Sequence, residues 1–329
     1  MTFARLGAVV AIAWLSVAPS GAADRRAPVV HVDHHVHLHA PAILAILSDY
    51  CASPGRASKC DAEFTRPLAV ADLRRAMDDA GIRRAQVMST AYLAESPLMA
   101  ALPPNHAAIV RAANDFTVGL ARAQPARFSA YIGVNPLTPT ALPEIAHWRG
   151  DRHVAGIKLH LANSRFDYHR PEQVRILANV VRAAASAHWR VMIHMRHRVE
   201  GYGADEARIF VNQVLPAARG TTIQIAHAAG WGGVDSATLA ALGVFAETCE
   251  HDRPRCANLY FDLAAIRPES VPDRDKAALA GLMRRIGLRH FVPASDWPFM
   301  RDLRAYYAGL RTLPLSDAEW QKVARNVVR

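Results

Sequence analysis

Cysteine is scarce here, four in 329 residues, and neither neighbouring pair, Cys51/Cys60 or Cys249/Cys256, has the short spacing of a zinc knuckle. The even count suits loop staples in an oxidising compartment. Of the three possible pairings, the local one (51 with 60, 249 with 256) needs the least chain closure. Beyond the N-terminal segment no apolar run approaches the roughly 20 residues of a membrane-spanning helix, which argues against stable membrane insertion. The chain also lacks a basic stripe with interleaved aromatics. Its formal charge of +10 therefore reads as a solvated surface with a few anion-binding arginines, and nucleic acid is not expected as a partner. No internal repeat, low-complexity tract or domain linker stands out. With 51% hydrophobic and 21% charged residues, a chain this long buries a sizeable core without crosslinks.

The two ends differ. Residues 1–23 read as a signal peptide: Arg5 is the positive start, Leu6 to Val17 the apolar stretch, and Pro19-Ser20-Gly21-Ala22-Ala23 the small-residue cleavage region. An uncleaved anchor is the alternative. The mature chain, 24–329, is expected to be periplasmic or extracellular.

Across that mature chain, short β-branched runs alternate with longer segments of helical period. Strands are predicted at 29–37, 84–90, 127–134, 154–160, 190–196, 222–228, 258–263 and 290–296. Helices are predicted at 68–80, 105–123, 171–188, 205–219, 235–247 and 274–286, with a brief one near 140–149. Eight strands, each followed by a helix, predict a single-domain α/β fold, a (β/α)8 TIM barrel. Nearly continuous apolar strands such as Val191-Met192-Ile193 fit burial on both faces. An open doubly wound sheet is the competing fold, but it gathers its chemistry at one crevice rather than at most strand ends.

Polar residues at those ends decide the matter. Strand one ends in Asp33, His35 and His37, strand four in Lys158 and His160, strand five in His194, strand six in His227 and strand eight in Asp296. A closed barrel brings these ends to one mouth. His35 and His37, two apart on a strand, share a face and can grip one ion; His34 is out of phase and is excluded. Asp33 is in phase and one step deeper, so it is expected to orient a ligand histidine rather than bind the ion. An isolated His-x-His is weak evidence, because buried histidines are more often hydrogen-bonded core residues. Joined to strand-end His, His and Asp in that order, it is strong.

These motifs, Val32-Asp33-His34-His35-Val36-His37, Gly156-Ile157-Lys158-Leu159-His160, Ile193-His194, Ile225-Ala226-His227 and Ala294-Ser295-Asp296-Trp297-Pro298-Phe299, resemble the amidohydrolase superfamily of metal-dependent barrels. The likeness spans essentially the whole mature chain. It looks nearest the amidohydrolase-related (amidohydrolase 2) branch, which also contains the aminocarboxymuconate-semialdehyde and resorcylate decarboxylases; Ser295-Asp296-Trp297-Pro298 and Asn135-Pro136 are typical of it. The resemblance implies one or two divalent metals, commonly zinc, held by His35, His37, His194 and Asp296. In one-metal relatives the residue at His227 stands beside the ion as a catalytic group. In two-metal relatives the lysine at Lys158 is carbamylated and bridges the ions, with His227 a further ligand. The metal count stays open.

The expected function is an exported metal-dependent hydrolase acting on an amide, ester or lactone. Zinc lowers the pKa of its water to about 7, Asp296 is the general base, and the metal with His227 or an arginine stabilises the oxyanion. His160, Arg196, Arg198 and Trp231 are candidate contacts to a small-molecule substrate, and Asp262 is a weaker site candidate. A non-oxidative decarboxylase on the same metal site is the alternative, and a metal-binding protein without activity is the third reading. A homo-oligomer is compatible with the sequence.

Overall fold

The computed structural model describes residues 29–56 and 59–328; the expected signal peptide lies outside them. Eight parallel strands run in sequential order: β1 (Val32–His37), β2 (Arg84–Met88), β3 (Phe128–Gly133), β4 (Val154–His160), β5 (Arg190–His194), β6 (Ile223–Ile225), β7 (Leu259–Asp262) and β8 (Phe291–Val292). Backbone bonds from residues after β8 close the barrel onto β1: His34 N donates to Pro293 O (3.1 Å), Asp296 N to His35 O (2.8 Å) and His37 N to Trp297 O (2.7 Å). The expected (β/α)8 barrel is the observed fold.

Each strand is buried on both sides because helices cover the outside. The main ones are α1 (Val70–Asp79), α2 (His106–Ala123), α3 (Ala141–Trp148), α4 (Pro171–Ser186), α5 (Ala204–Ile209), α6 (Ser236–His251), α7 (Asp273–Ile286) and α8 (Leu303–Leu310). The predicted helix over 205–219 is α-helical only through α5; a π turn (Phe210–Val214) and a 3-10 turn (Leu215–Ala218) follow. Pro216, in the 3-10 turn, has no N–H with which to continue an α-helical ladder. Inside the barrel Met88 of β2, Tyr131 of β3, Met192 of β5 and Ala226 just after β6 pack together. Gly156 makes room for them: a Cβ there would lie 2.4 Å from the Tyr131 ring.

Several strand predictions run past the observed ends, those over 222–228 and 290–296 by the most. The chain leaves β6 after Ile225 and turns through left-handed conformations at His227 (φ 55°), Ala228 (φ 49°) and Ala229 (φ 66°). It leaves β8 at Pro293 and turns at Asp296 (φ 66°). These turns aim His227 and Asp296 across the mouth instead of along the barrel wall. Disulfides join Cys51 to Cys60 and Cys249 to Cys256, the local pairing. Among the described residues no helix is long and apolar enough to cross a membrane.

Candidate metal centre

His35 lies at the centre of the barrel mouth, wholly buried. Its Nε2 is 3.0 Å from His37 Nε2, 3.1 Å from Lys158 Nζ and 3.4 Å from Asp296 Oδ1; His37 Nε2 is also 3.4 Å from that oxygen. Hydrogen bonds on the far side of each ring set the tautomers. His37 Nδ1 donates to Met88 O (3.1 Å) and His227 Nδ1 to Ala264 O (2.9 Å), leaving both Nε2 atoms with a lone pair toward the mouth. His35 Nδ1 faces Asp262 Oδ2 at 3.2 Å, a contact that is not aligned as a full hydrogen bond but favours the same tautomer. Two imidazole lone pairs and a carboxylate oxygen therefore crowd together, with the single ammonium of Lys158 beside them. Such a donor set fits a cation.

His194 supplies a second fit. It is 3% exposed, and among the described residues neither ring nitrogen has a hydrogen-bond partner. A buried imidazole with both nitrogens unpaired costs free energy unless a ligand satisfies one. Its ring stacks on His160 (4.1 Å between centroids) and meets the rings of His227 (4.9 Å) and Trp231 (5.0 Å) edge-on. Donor atoms of His35, His227 and Asp296 lie within 4.8 Å of one another, a spacing one ion can bridge.

Charge in the cluster follows burial. Desolvation pushes His35, His160 and His194 well below the usual imidazole range, so they are neutral and able to ligate. Burial alone would raise Asp296, but His35, His37 and His227 outweigh it and hold its carboxyl well below the ordinary range. Burial brings Lys158 down to about 8, against the attraction of Asp296 and Asp262. A lysine at about 8 is roughly one-tenth neutral at pH 7, far more than an ordinary lysine, and the neutral amine is the form that carbamylation requires.

The other expectations fall out unevenly. His34 turns away as expected: its Nδ1 binds Pro293 O (2.9 Å) and its Nε2 accepts from Val328 N (3.3 Å). Asp33 does not orient a ligand ring. A register shift in β1 between Asp33 and Val36 breaks the alternation, and Asp33 Oδ1 instead accepts from the amides of His35 (3.1 Å) and Ser295 (3.0 Å). The orienting carboxylate is Asp262, whose Oδ1 also accepts from His227 N (2.8 Å) and Ala264 N (3.1 Å), and whose Oδ2 accepts from Gln224 Nε2 (2.8 Å). Its position at the end of β7 was the available signal. Arg196 does not line the metal-facing cavity: it pairs with Asp235 (2.8 Å) beneath the neighbouring groove. His160, Lys158 and Trp231 do line it.

That cavity, about 470 Å³, has one wall that sequence reasoning missed. The excursion after β1 supplies Tyr50, Arg56 and Phe64, held by the Cys51–Cys60 disulfide and by His39, whose Nε2 donates to Phe64 O (2.9 Å). Tyr92 and Phe299 complete an aromatic lining, with Phe64 and Phe299 stacked at 5.5 Å.

No protein-family model and no curated protein matches the sequence. Solved structures do. A 5-carboxyvanillate decarboxylase from Sphingomonas paucimobilis aligns with a TM-score of 0.65 at 13% identity, over 91% of this chain and 97% of that one. The shared fold is the (β/α)8 barrel. The 5-carboxyvanillate decarboxylase of Novosphingobium aromaticivorans, solved with manganese and a nitrobenzoic acid, aligns at 0.61 and 14% identity over 91% and 94%. A protein described as amidohydrolase II aligns at 0.58 and 16% over 89% and 96%. At these identities the likeness is one of fold.

Proposed function

We propose that this protein is a metal-dependent decarboxylase that releases carbon dioxide from a carboxylated aromatic small molecule. The observation that carries the metal is the convergence of His35 Nε2, His37 Nε2 and Asp296 Oδ1 within 3.4 Å, beside the unpartnered His194. The aromatic cavity walls favour a planar ligand. The decarboxylases among the structural neighbours favour this reaction over the amide, ester or lactone hydrolysis expected from sequence.

His35, His37, His194 and Asp296 would hold the ion, with His227 and Lys158 beside them. When bound, a divalent ion supplies Lewis acidity, and manganese in a neighbour is as good a guide to its identity as zinc. Loss of carbon dioxide leaves an electron pair on the ring carbon, which must take a proton. Asp296, on the cavity wall, is placed to hold that proton at Oδ and pass it on. His227 Nε2, bare because Nδ1 is committed to Ala264 O, accepts a hydrogen bond from a substrate hydroxyl. Disulfides in the fold support export to an oxidising compartment.

Hydrolysis is the second reading, favoured by the same Asp296 and His227, a base and a proton carrier within 4.8 Å of His35. The test is direct: protein loaded with manganese or zinc is incubated with hydroxybenzoates and with amide, ester and lactone panels. Metal-dependent carbon dioxide release is expected, with Asp296→Asn lowering kcat at least 100-fold while metal stays bound. Hydrolytic turnover without carbon dioxide release would transfer the assignment to the second reading. Full activity in Asp296→Asn would remove that residue from either mechanism.

A further inference from the structure

Three arginines gather where two cavities meet. Arg198 is half-buried and its guanidinium lies over the Trp231 ring, 5.1 Å from the centroid. These two residues line both the metal-facing cavity and a second cavity of about 720 Å³. Arg56 lines the first cavity, over the Tyr50 ring at 4.7 Å, and Arg165 lines the second.

Their chemistry is incomplete. Among the described residues the buried Nε atoms of Arg56 and Arg198 have no hydrogen-bond partner. Asp61 in the first cavity and Glu200 in the second pair with none of the three among the described residues, whereas nearby Arg196 has its carboxylate in Asp235. Burial weakens the hold of Arg198 on its proton; the charges of Arg56 and Arg165 press in the same direction, and only Tyr50 opposes them. Arg165 also sits at φ 50°, a left-handed backbone that is strained for a residue with a Cβ and that glycine takes freely. Arg198 thus feels both other positive charges, an anion between them would relieve that repulsion, and guanidinium forks match an oxyanion geometrically.

We propose that Arg56, Arg165 and Arg198 form a binding site for a doubly charged oxyanion, phosphate-like in charge and acceptor count, with Trp231 as its apolar floor. Assigning that group to the end of the substrate away from the metal rests on the metal-site reading above; the anion site itself does not.

Inorganic phosphate is the probe, with acetate as the singly charged control. Both are titrated calorimetrically into the full chain, once metal-loaded and once after chelator treatment. Phosphate is expected to bind at least tenfold tighter than acetate in both forms and to change Trp231 fluorescence saturably. Arg165→Met, at an exposed position that leaves the fold intact, and Arg198→Met, which keeps an apolar stem over Trp231, should each weaken phosphate tenfold or more with metal content unchanged. Phosphate affinity that survives both substitutions overturns the site. Affinity that vanishes on chelation overturns it too, by placing phosphate on the metal, and leaves the metal reading standing. Tight phosphate binding in protein that never takes up metal does the reverse.

Discussion

Replacing Asp262 by Asn should cripple the metal centre although Asp262 would not touch the ion. The Asp262 carboxylate is fully buried and takes donors on both oxygens: the His227 and Ala264 amides at Oδ1, Gln224 Nε2 at Oδ2. An asparagine must keep its oxygen toward the two amides, which cannot turn. Its NH2 then occupies the Oδ2 position, 3.2 Å from His35 Nδ1. Facing a donor, His35 must present a lone pair at Nδ1 and carry its proton on Nε2, the atom directed at His37 and Asp296. A protonated Nε2 is no ligand. Changes to such orienting partners lower metal affinity about 10- to 100-fold, or roughly 1.4 to 2.7 kcal/mol. Loss of the charge-assisted bond to Gln224 adds about 1.5 to 3 kcal/mol of instability in the fold. Zinc or manganese titration against a competing chromophoric chelator reads the first quantity, and urea unfolding of chelator-treated protein the second. Gln224→Leu removes the Gln224 bond without touching the His35 tautomer, so it should lower stability and spare metal affinity. Parental metal affinity in a folded Asp262→Asn protein would refute the tautomer argument.

Two further outcomes concern stability alone. Burial raises the Asp33 carboxyl to about 6, against opposing hydrogen bonds from the Ser295 and His35 amides. Its folded-state pKa thus exceeds the unfolded value, so the fold loses stability as pH climbs from about 4 through 6 and carries the full penalty above. The shift corresponds to about 3 kcal/mol. Asp33→Asn, which keeps an acceptor for the His35 and Ser295 amides, should gain up to that amount at pH 8 and nothing at pH 4, by urea unfolding at both values; equal gains would show that charge burial is not the cause. Removing the Cys249–Cys256 disulfide by a double serine substitution releases a loop of sequence separation 7, for which chain entropy gives a loss of about 2.5 kcal/mol. That loss should appear in urea unfolding with metal affinity unchanged, because the bridge ties α6 to the short turn before β7, away from the mouth.

What the sequence reveals about this site depends on how each residue is carried. His35, His37, Lys158 and His194 sit inside strands, where period-two alternation and the closed barrel place a side chain from its position alone. His227 and Asp296 lie just past strand ends, in left-handed turns that no alternation describes. Their residue types mark them, but their directions come from the Asp262 carboxylate that captures the His227 amide and from the Asp296 N–H bond to His35 O. Asp33 fails for the opposite reason: alternation applies to it in sequence, and one extra residue in β1 cancels it. Tyr50, in a short helix over Leu47–Ala52, and Arg56, in the loop after it, belong to the excursion after β1, whose Cys-, Pro-, Gly- and Ser-bearing sequence marks a departure from the barrel but not which side chains face the cavity. The ligand candidates, which ride on the scaffold, are therefore legible. The cavity wall that faces them depends on loop packing, which no periodicity in the sequence describes.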